Sequence, residues 1–249
     1  MSGEIRIIAN ENLGLARLVA ALTELPEELP DFVVIGGGAV GIRCNGLDRE
    51  TQDLDSLAIE ADRLIEVLVS SGAQQQRAYQ VLTQSGVPLD VMAVHGTGGF
   101  KSTPQVNQAF ELARLWAFET APAEALVFMH RNEQGEWSGQ TTQLRVATVP
   151  SLLALKAVSM ADRVNSAHPE KLYSDISDVC ALIATSGVPD AVDGLKQAPL
   201  TLRDWVACEL VHRFVDDRRH TEARLRIAKF RVPPDRIDDV ALTGQLVIA

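Results

Sequence analysis

Apolar side chains at Leu15, Leu18, Val19, Leu22 and Leu25 recur every three or four residues, which predicts a helix over 11–25. Pro26 and Pro30 follow, and a proline without its N–H cannot continue a helix. Phe32-Val33-Val34-Ile35, after Asp31, is a short β-branched run suited to a buried strand, and Gly36-Gly37-Gly38 stops it. Positions 53–59 alternate in their first half, predicting a strand with one buried face. A helix over 61–69 comes next, closed by Ser70-Ser71-Gly72. Strands 77–83 and 87–94 are predicted to pair as a hairpin around Gln84-Ser85-Gly86. The glycine-rich stretch 95–99 reads as a flexible loop, followed by a helix over 106–118 and strands over 126–130 and 143–149.

The pattern changes after Pro150. Helices are predicted over 151–163 and 169–185, and most of 201–229 is helical in pattern as well. No internal repeat or low-complexity tract interrupts the chain. The layout is α+β: a mixed domain over 1–149 and a mostly helical domain over 150–249.

With 249 residues, 46% of them hydrophobic, the chain can bury a substantial core. No run of 18 apolar residues escapes a charge, so no membrane span is expected. Met1-Ser2-Gly3-Glu4 lacks the basic and apolar regions of a signal peptide, and three scattered cysteines suit a reducing compartment; a cytoplasmic location is expected. The net charge of −10 argues against a general nucleic-acid coat protein. Yet 212–231 carries seven Lys/Arg (Arg213, Arg218, Arg219, Arg224, Arg226, Lys229, Arg231) against three acids, so this stretch is +4 and the rest −14. It is either a solvated helix face or a face that docks a phosphate backbone.

Gly36-Gly37-Gly38-Ala39-Val40-Gly41 fits G-x-G-x-x-G, the dinucleotide fingerprint, with Glu60 downstream where a ribose-binding acid would sit. That fingerprint needs a long helix packed on a sheet, whereas Asn45-Gly46 interrupts soon after Gly41 and 47–52 is strongly polar. A Rossmann-type oxidoreductase is therefore a minor alternative. Asp53 and Asp55 are the sharper feature. Two apart on a strand, they share a face about 6–7 Å apart, where like charges repel unless a cation lies between them. Mg²⁺, which takes carboxylate oxygens together with water and substrate phosphates, suits that position. Asp90, mid-strand in Leu89-Asp90-Val91-Met92, completes a three-carboxylate, two-metal site if its strand neighbours the first. In the bland alternative Asp53 caps, Asp55 lies at the surface and Asp90 guards a sheet edge.

Gly36-Gly37-x-Ala39 followed by Arg49-x-Thr51-x-Asp53-Leu54-Asp55 resembles the first motif of the nucleotidyltransferase superfamily, in its AbiEii-type branch. These are the toxins of type IV toxin–antitoxin and abortive-infection systems. Pro150-Ser151-Leu152-Leu153-Ala154-Leu155-Lys156 through Arg163 is similar to the branch's lysine-bearing helix. Leu172-Tyr173-Ser174-Asp175-Ile176-Ser177-Asp178-Val179 looks like its next helix, with an aspartate pair. The resemblance implies a small sheet flanked by helices, with Mg²⁺ and a nucleoside triphosphate at Asp53 and Asp55. It implies Lys156 touching the triphosphate and Asp175 helping to orient it. The superfamily often has Gly-Ser where this chain has Gly37-Gly38, so the loop offers phosphate only backbone N–H groups. The site expected on these grounds comprises Gly36, Gly37, Gly38, Arg49, Thr51, Asp53, Asp55, Asp90, Lys156, Arg163 and Asp175.

Lys156 is the lone charge between 151 and 161 on an otherwise apolar or small-residue helix, so it either snorkels from a core helix or points at an anion in a cleft. Arg163 lies two turns on, on nearly the same face. Asp175 and Asp178 flank the stripe Leu172, Ile176, Val179 and Ile183, with Lys171 in reach for a surface ion pair, or else Asp175 has a catalytic role. The histidines form no zinc-ligand cluster, and no Gly-x-Ser-x-Gly elbow is present. The composite expectation is a cytoplasmic, Mg²⁺-dependent nucleotidyltransferase. Its acceptor would be an RNA 3′ end (tRNA-like), a protein or a small molecule, and an antitoxin protein is a possible partner. A degenerate member that only binds nucleotide or a partner is the alternative.

Overall fold

Alternation of buried and exposed side chains, and the breaks made by proline and glycine, set most of the element boundaries. The computed structural model describes residues 4–8, 13–26, 28–46, 51–95, 103–131, 134–164 and 169–249. The first elements are β1 (Glu4–Ile8), α1 (Leu13–Thr23), β2 (Phe32–Ile35), α2 (Gly36–Cys44), β3 (Leu54–Ala58) and α3 (Ala61–Ser70). They are followed by β4 (Gln74–Arg77), β5 (Gln80–Leu82), β6 (Pro88–Ala93), α4 (Pro104–Thr120), β7 (Ala123–Arg131) and β8 (Trp137–Arg145). The remainder is helical: α5 (Val149–Arg163), α6 (Pro169–Ser186), α7 (Val188–Leu195), α8 (Leu200–Val211), α9 (Arg218–Ile227) and α10 (Pro234–Ile248). A π-helical turn, His212–Asp216, continues α8. The fold class is α+β, with a mixed sheet flanked by helices and a helical C-terminal part, as the pattern predicts.

The chain divides into two compact units, 1–98 with 118–148, and 99–117 with 149–249. In the first, five strands lie in the order β2-β3-β6-β5-β4. Strands β3 and β6 are parallel, and every other neighbour pair in this sheet is antiparallel. A second sheet, β1-β7-β8, meets β2 through a bridge between Val34 and Val146, with Ala147 N–H donating to the Val34 carbonyl at 3.0 Å. Arg43, in the last turn of α2, secures this junction. It donates to the carbonyls of Val146 (2.7 Å) and Ala147 (2.9 Å) and pairs with Glu124 at 2.9 Å. The end of α2 is thereby tied to the sheet beneath it.

In the second unit α5 packs on α6, α7 and α8, and α10 on α6, α7 and α8. Leu152, Leu153 and Met160 of α5 and the α6 stripe Leu172, Ile176, Val179 and Ile183 are all buried. Each such aliphatic side chain contributes about 1.5–3 kcal/mol on burial. Among the described residues no helix is long and apolar enough to cross a membrane.

Several boundaries depart from the pattern. The predicted strand 77–83 is broken by a turn at Ala78 and Tyr79, which folds β4 back on β5. Strand β8 begins at Trp137, well before 143, because its polar Ser-Gly-Gln-Thr-Thr stretch keeps both faces largely in water and hides the alternation. It ends at Arg145; Val149 opens α5 with Pro150 behind it, where a missing N–H costs a helix nothing. No expectation covered β1, α7 or α10. The loop expected over 95–99 lies outside the described residues beyond His95.

Candidate active site

Strand β2 ends at Ile35, and the chain turns at once into α2 through Gly36, whose φ of +66° L side chains rarely adopt. Asp55, the second residue of β3, lies opposite Ile35 across the antiparallel pair. Its carboxylate fills the space beside Gly36: a Cβ there would sit 2.7 Å from Asp55 Cγ and overlap the carboxylate oxygen. Asp55 therefore rests against the N-terminal end of α2, whose free N–H groups and dipole favour negative charge. The glycines that read as a strand stop are the first turn of a buried helix, Gly36, Gly37 and Gly38 in sequence.

On the other side of β3, parallel strand β6 places Asp90 in register with Asp55. Strand β5 then places Gln80 in register with Asp90, and Gln80 Nε2 donates to Asp90 Oδ1 at 2.8 Å. Ile35, Asp55, Asp90 and Gln80 thus form one row across four strands. Asp53 immediately precedes β3 and is half-buried, and Thr51 is buried just before it. Arg49 lies outside the described residues. Among the described residues no three His, Cys, Asp or Glu side chains gather closely enough to hold a metal ion. The donor chemistry nevertheless suits Mg²⁺, which is commonly held by one or two carboxylates together with substrate phosphates and water. Asp55 and Asp90, with Asp53 two residues away, provide hard oxygen ligands of that kind.

The glycine run does not build a dinucleotide fold. Strands β2 and β3 are antiparallel, and α2 has nine residues, whereas the fingerprint needs a parallel strand–helix–strand unit.

In the helical unit Lys156 is 8% exposed, and Asp175 and Asp178 are each 1% exposed. Lys156 Nζ donates to Asp175 Oδ1 at 2.8 Å and lies 2.7 Å from Asp178 Oδ2. Arg163 Nη1 reaches the other Asp175 oxygen and the Lys171 carbonyl, the latter at 3.2 Å. Two buried carboxylates are therefore balanced by a buried lysine and a partly exposed arginine. Burial alone would lower the Lys156 pKa, but the attraction and hydrogen bonds of Asp175 and Asp178 overcome it and push the pKa up to about 12. The surface pair between Lys171 and Asp175 is replaced by this buried network. Asp175 and Asp178, three apart on α6, face α5 rather than water, so the cations that reach them come from α5.

The basic stretch is not one open cationic face. Arg213 is buried and donates Nε to Glu209 at 2.6 Å, while burial, opposed by that bond, raises the Glu209 pKa. Arg218 pairs with Glu222 (2.9 Å) and Asp238 (2.5 Å), and Arg224 with Asp217 (3.5 Å). Arg219, Arg226, Lys229 and Arg231 stay exposed.

Gln80 was not anticipated, although a signal existed. A hairpin centred on Ser85 pairs positions whose numbers sum to 170, and that rule alone puts Gln80 opposite Asp90.

The sequence matches no family model and no curated protein. Among solved structures, the chain is similar to an antigenic nucleotidyltransferase-like protein from Paracoccidioides brasiliensis, with 19% identity and a TM-score of 0.48. That match covers 88% of this chain and 94% of the other. It is also similar to the antibiotic-resistance factor ANT(2″)-Ia, with 13% identity and a TM-score of 0.39, covering 84% of this chain and 96% of that one.

Proposed function

We propose that this chain is a Mg²⁺-dependent nucleotidyltransferase that moves a nucleoside monophosphate from a triphosphate to an acceptor hydroxyl. The observation that carries this reading is the register of Asp55 and Asp90 on parallel strands, with Asp55 set against Gly36 at the start of α2. In this reading Asp53, Asp55 and Asp90 are the metal ligands, and the α2 backbone N–H groups at Gly36, Gly37 and Gly38 receive phosphate oxygens. When bound, Mg²⁺ supplies charge neutralisation for the triphosphate and a lower pKa for the acceptor hydroxyl. The acceptor oxygen bonds to the α-phosphorus, the bond to the β-phosphate bridge breaks, and pyrophosphate leaves with that electron pair. The rigid row holds the carboxylates in place before substrate arrives, so little reorganisation is needed during transfer. The motif resemblance further supports Lys156 and Arg163 as triphosphate contacts, Asp175 as a residue that helps orient the triphosphate, and Arg49 and Thr51 as further nucleotide-binding residues. A role as the toxin of a type IV toxin–antitoxin pair, in the cytoplasm and with an antitoxin partner, is the finer form of the same proposal.

The test incubates the protein with each α-³²P-labelled NTP and Mg²⁺ in the presence of RNA, protein or small hydroxylated acceptors. Label transferred by wild type and lost in Asp55→Asn is the expected result. Thermal stabilisation by an NTP without transfer under any condition would leave a nucleotide-binding protein instead. That second reading draws on the internal pairing of Lys156 and Arg163 with Asp175 and Asp178.

A further inference from the structure

We infer that Gln80 is a positioning residue for the proposed metal site: its amide holds one carboxylate oxygen of Asp90 and so orients that side chain as a ligand for the ion. The inference rests on the nucleotidyltransferase reading of Asp55 and Asp90. Its own basis is the bond from Gln80 Nε2 to Asp90 Oδ1 at 2.8 Å and the register that makes the two residues direct neighbours on β5 and β6.

Three features of the geometry make this more than a chance contact. Register partners have their Cβ atoms only about 4.5–5.5 Å apart on one face, so the Gln80 side chain reaches Asp90 without leaving the row. The Asp90 backbone is held independently, since Ser56 Oγ donates to its carbonyl at 3.2 Å and Val91 N–H donates to the Tyr79 carbonyl at 2.8 Å. With the backbone pinned on both sides, the remaining freedom of Asp90 is rotation of its side chain, and the bond from Gln80 restrains it. The amide is also neutral. A lysine or arginine here would satisfy Asp90 with a full positive charge and oppose a divalent cation, whereas an amide N–H orients the carboxylate without adding positive charge. Partners of this kind behind metal ligands typically change metal affinity by about 10–100-fold when removed.

The experiment measures binding of Mn²⁺ alone, from the free-ion electron paramagnetic resonance signal, to wild type, Gln80→Met, Asp90→Asn and the double variant. Gln80→Met keeps the volume and removes the donor; Gln80→Val, a strong strand former, takes its place should the methionine variant not fold by circular dichroism. The expected result is a loss of about tenfold in Mn²⁺ affinity for Gln80→Met, with little further loss when Asp90 is already Asn. An unchanged affinity, or an equal loss in both backgrounds, overturns the inference while leaving the site intact. If Asp55→Asn takes up Mn²⁺ as well as wild type does, or wild type takes up none, the metal site itself falls and this role falls with it.

Discussion

The Asp55 carboxylate occupies the space that a side chain on Gly36 would need. Strand end, helix start and candidate metal ligand are therefore fixed against one another at a single point. Gly36→Ala would add a methyl group to that contact at a φ of +66°, with a strain cost of about 1–3 kcal/mol. It should lower the unfolding free energy by at least that much and eliminate label transfer. Gly86→Ala, at a φ of +73° in open space, carries the strain without the clash and should leave transfer intact. Urea titration and the labelling assay on both variants separate the two effects.

Asp53→Asn and Asp55→Asn should each abolish Mg²⁺-dependent labelling and leave the circular dichroism spectrum unchanged. Asn keeps the size of Asp and removes only its charge, so loss of labelling would report on the site rather than on folding. Undiminished labelling in both variants would refute the assignment.

Lys156→Met leaves two buried carboxylates without their shared cation. Breaking a buried pair in this way costs about 3–5 kcal/mol, so the variant should melt far below wild type. Adding Asp175→Asn and Asp178→Asn to Lys156→Met should recover much of the loss, because no buried carboxylate is left unpaired and Arg163, partly exposed, keeps access to water. NTP affinity of the triple variant then reports on phosphate contact separately from folding; affinity equal to wild type would make Lys156 purely structural.

Two buried groups set an alkaline limit. Burial, aided by Asp178 and opposed by Arg236, pushes the Cys180 thiol up from 9.0 to about 12. The folded state keeps that proton longer than the unfolded chain, so stability declines as pH rises above about 9. Lys156, raised from 10.5 to about 12, contributes stability that is complete below 10.5 and lost as pH passes through about 12. Cys180→Ala should remove the decline that begins near 9 and keep the later one. Denaturant titrations at pH 8, 10 and 11.5 check this, and equal slopes for variant and wild type between pH 8 and 10 would contradict it.

If RNA is the acceptor, the cations to test are Arg219, Arg226, Lys229 and Arg231, since Arg213, Arg218 and Arg224 are engaged with carboxylates. Three or four phosphate contacts on a single strand give a slope of log K against log salt of about −2 to −3. Replacing the four with Gln should flatten that slope and spare NTP binding. Salt-insensitive RNA binding, or an unaffected variant, would direct the search to protein or small-molecule acceptors.

The elements whose patterning answers to one buried face were legible from the chain: α1, β2, α3, α5 and α6 follow from local periodicity, because burial on one side imprints a period of 3.6 or 2. The pairing of Gln80 with Asp90 was equally available, since a tight hairpin fixes its own register. The strand β8 and the turn at Ala78 and Tyr79 were not, because exposed polar residues carry no period.

The two-residue spacing of Asp53 and Asp55, the glycine run before them and the lone charge of Lys156 are properties of the sequence by itself. That Asp90 stands beside Asp55 depends on a parallel pairing between strands distant in the chain, which no local pattern encodes. That Asp55 packs on Gly36 depends on β2 and β3 running antiparallel. Likewise Lys156 shows only as an isolated cation until α5 meets α6 and supplies both of its carboxylates. Side-chain chemistry is written along the chain, but the partner that gives each charge its meaning arrives from a distant segment, and only packing of the cores decides which segment that is.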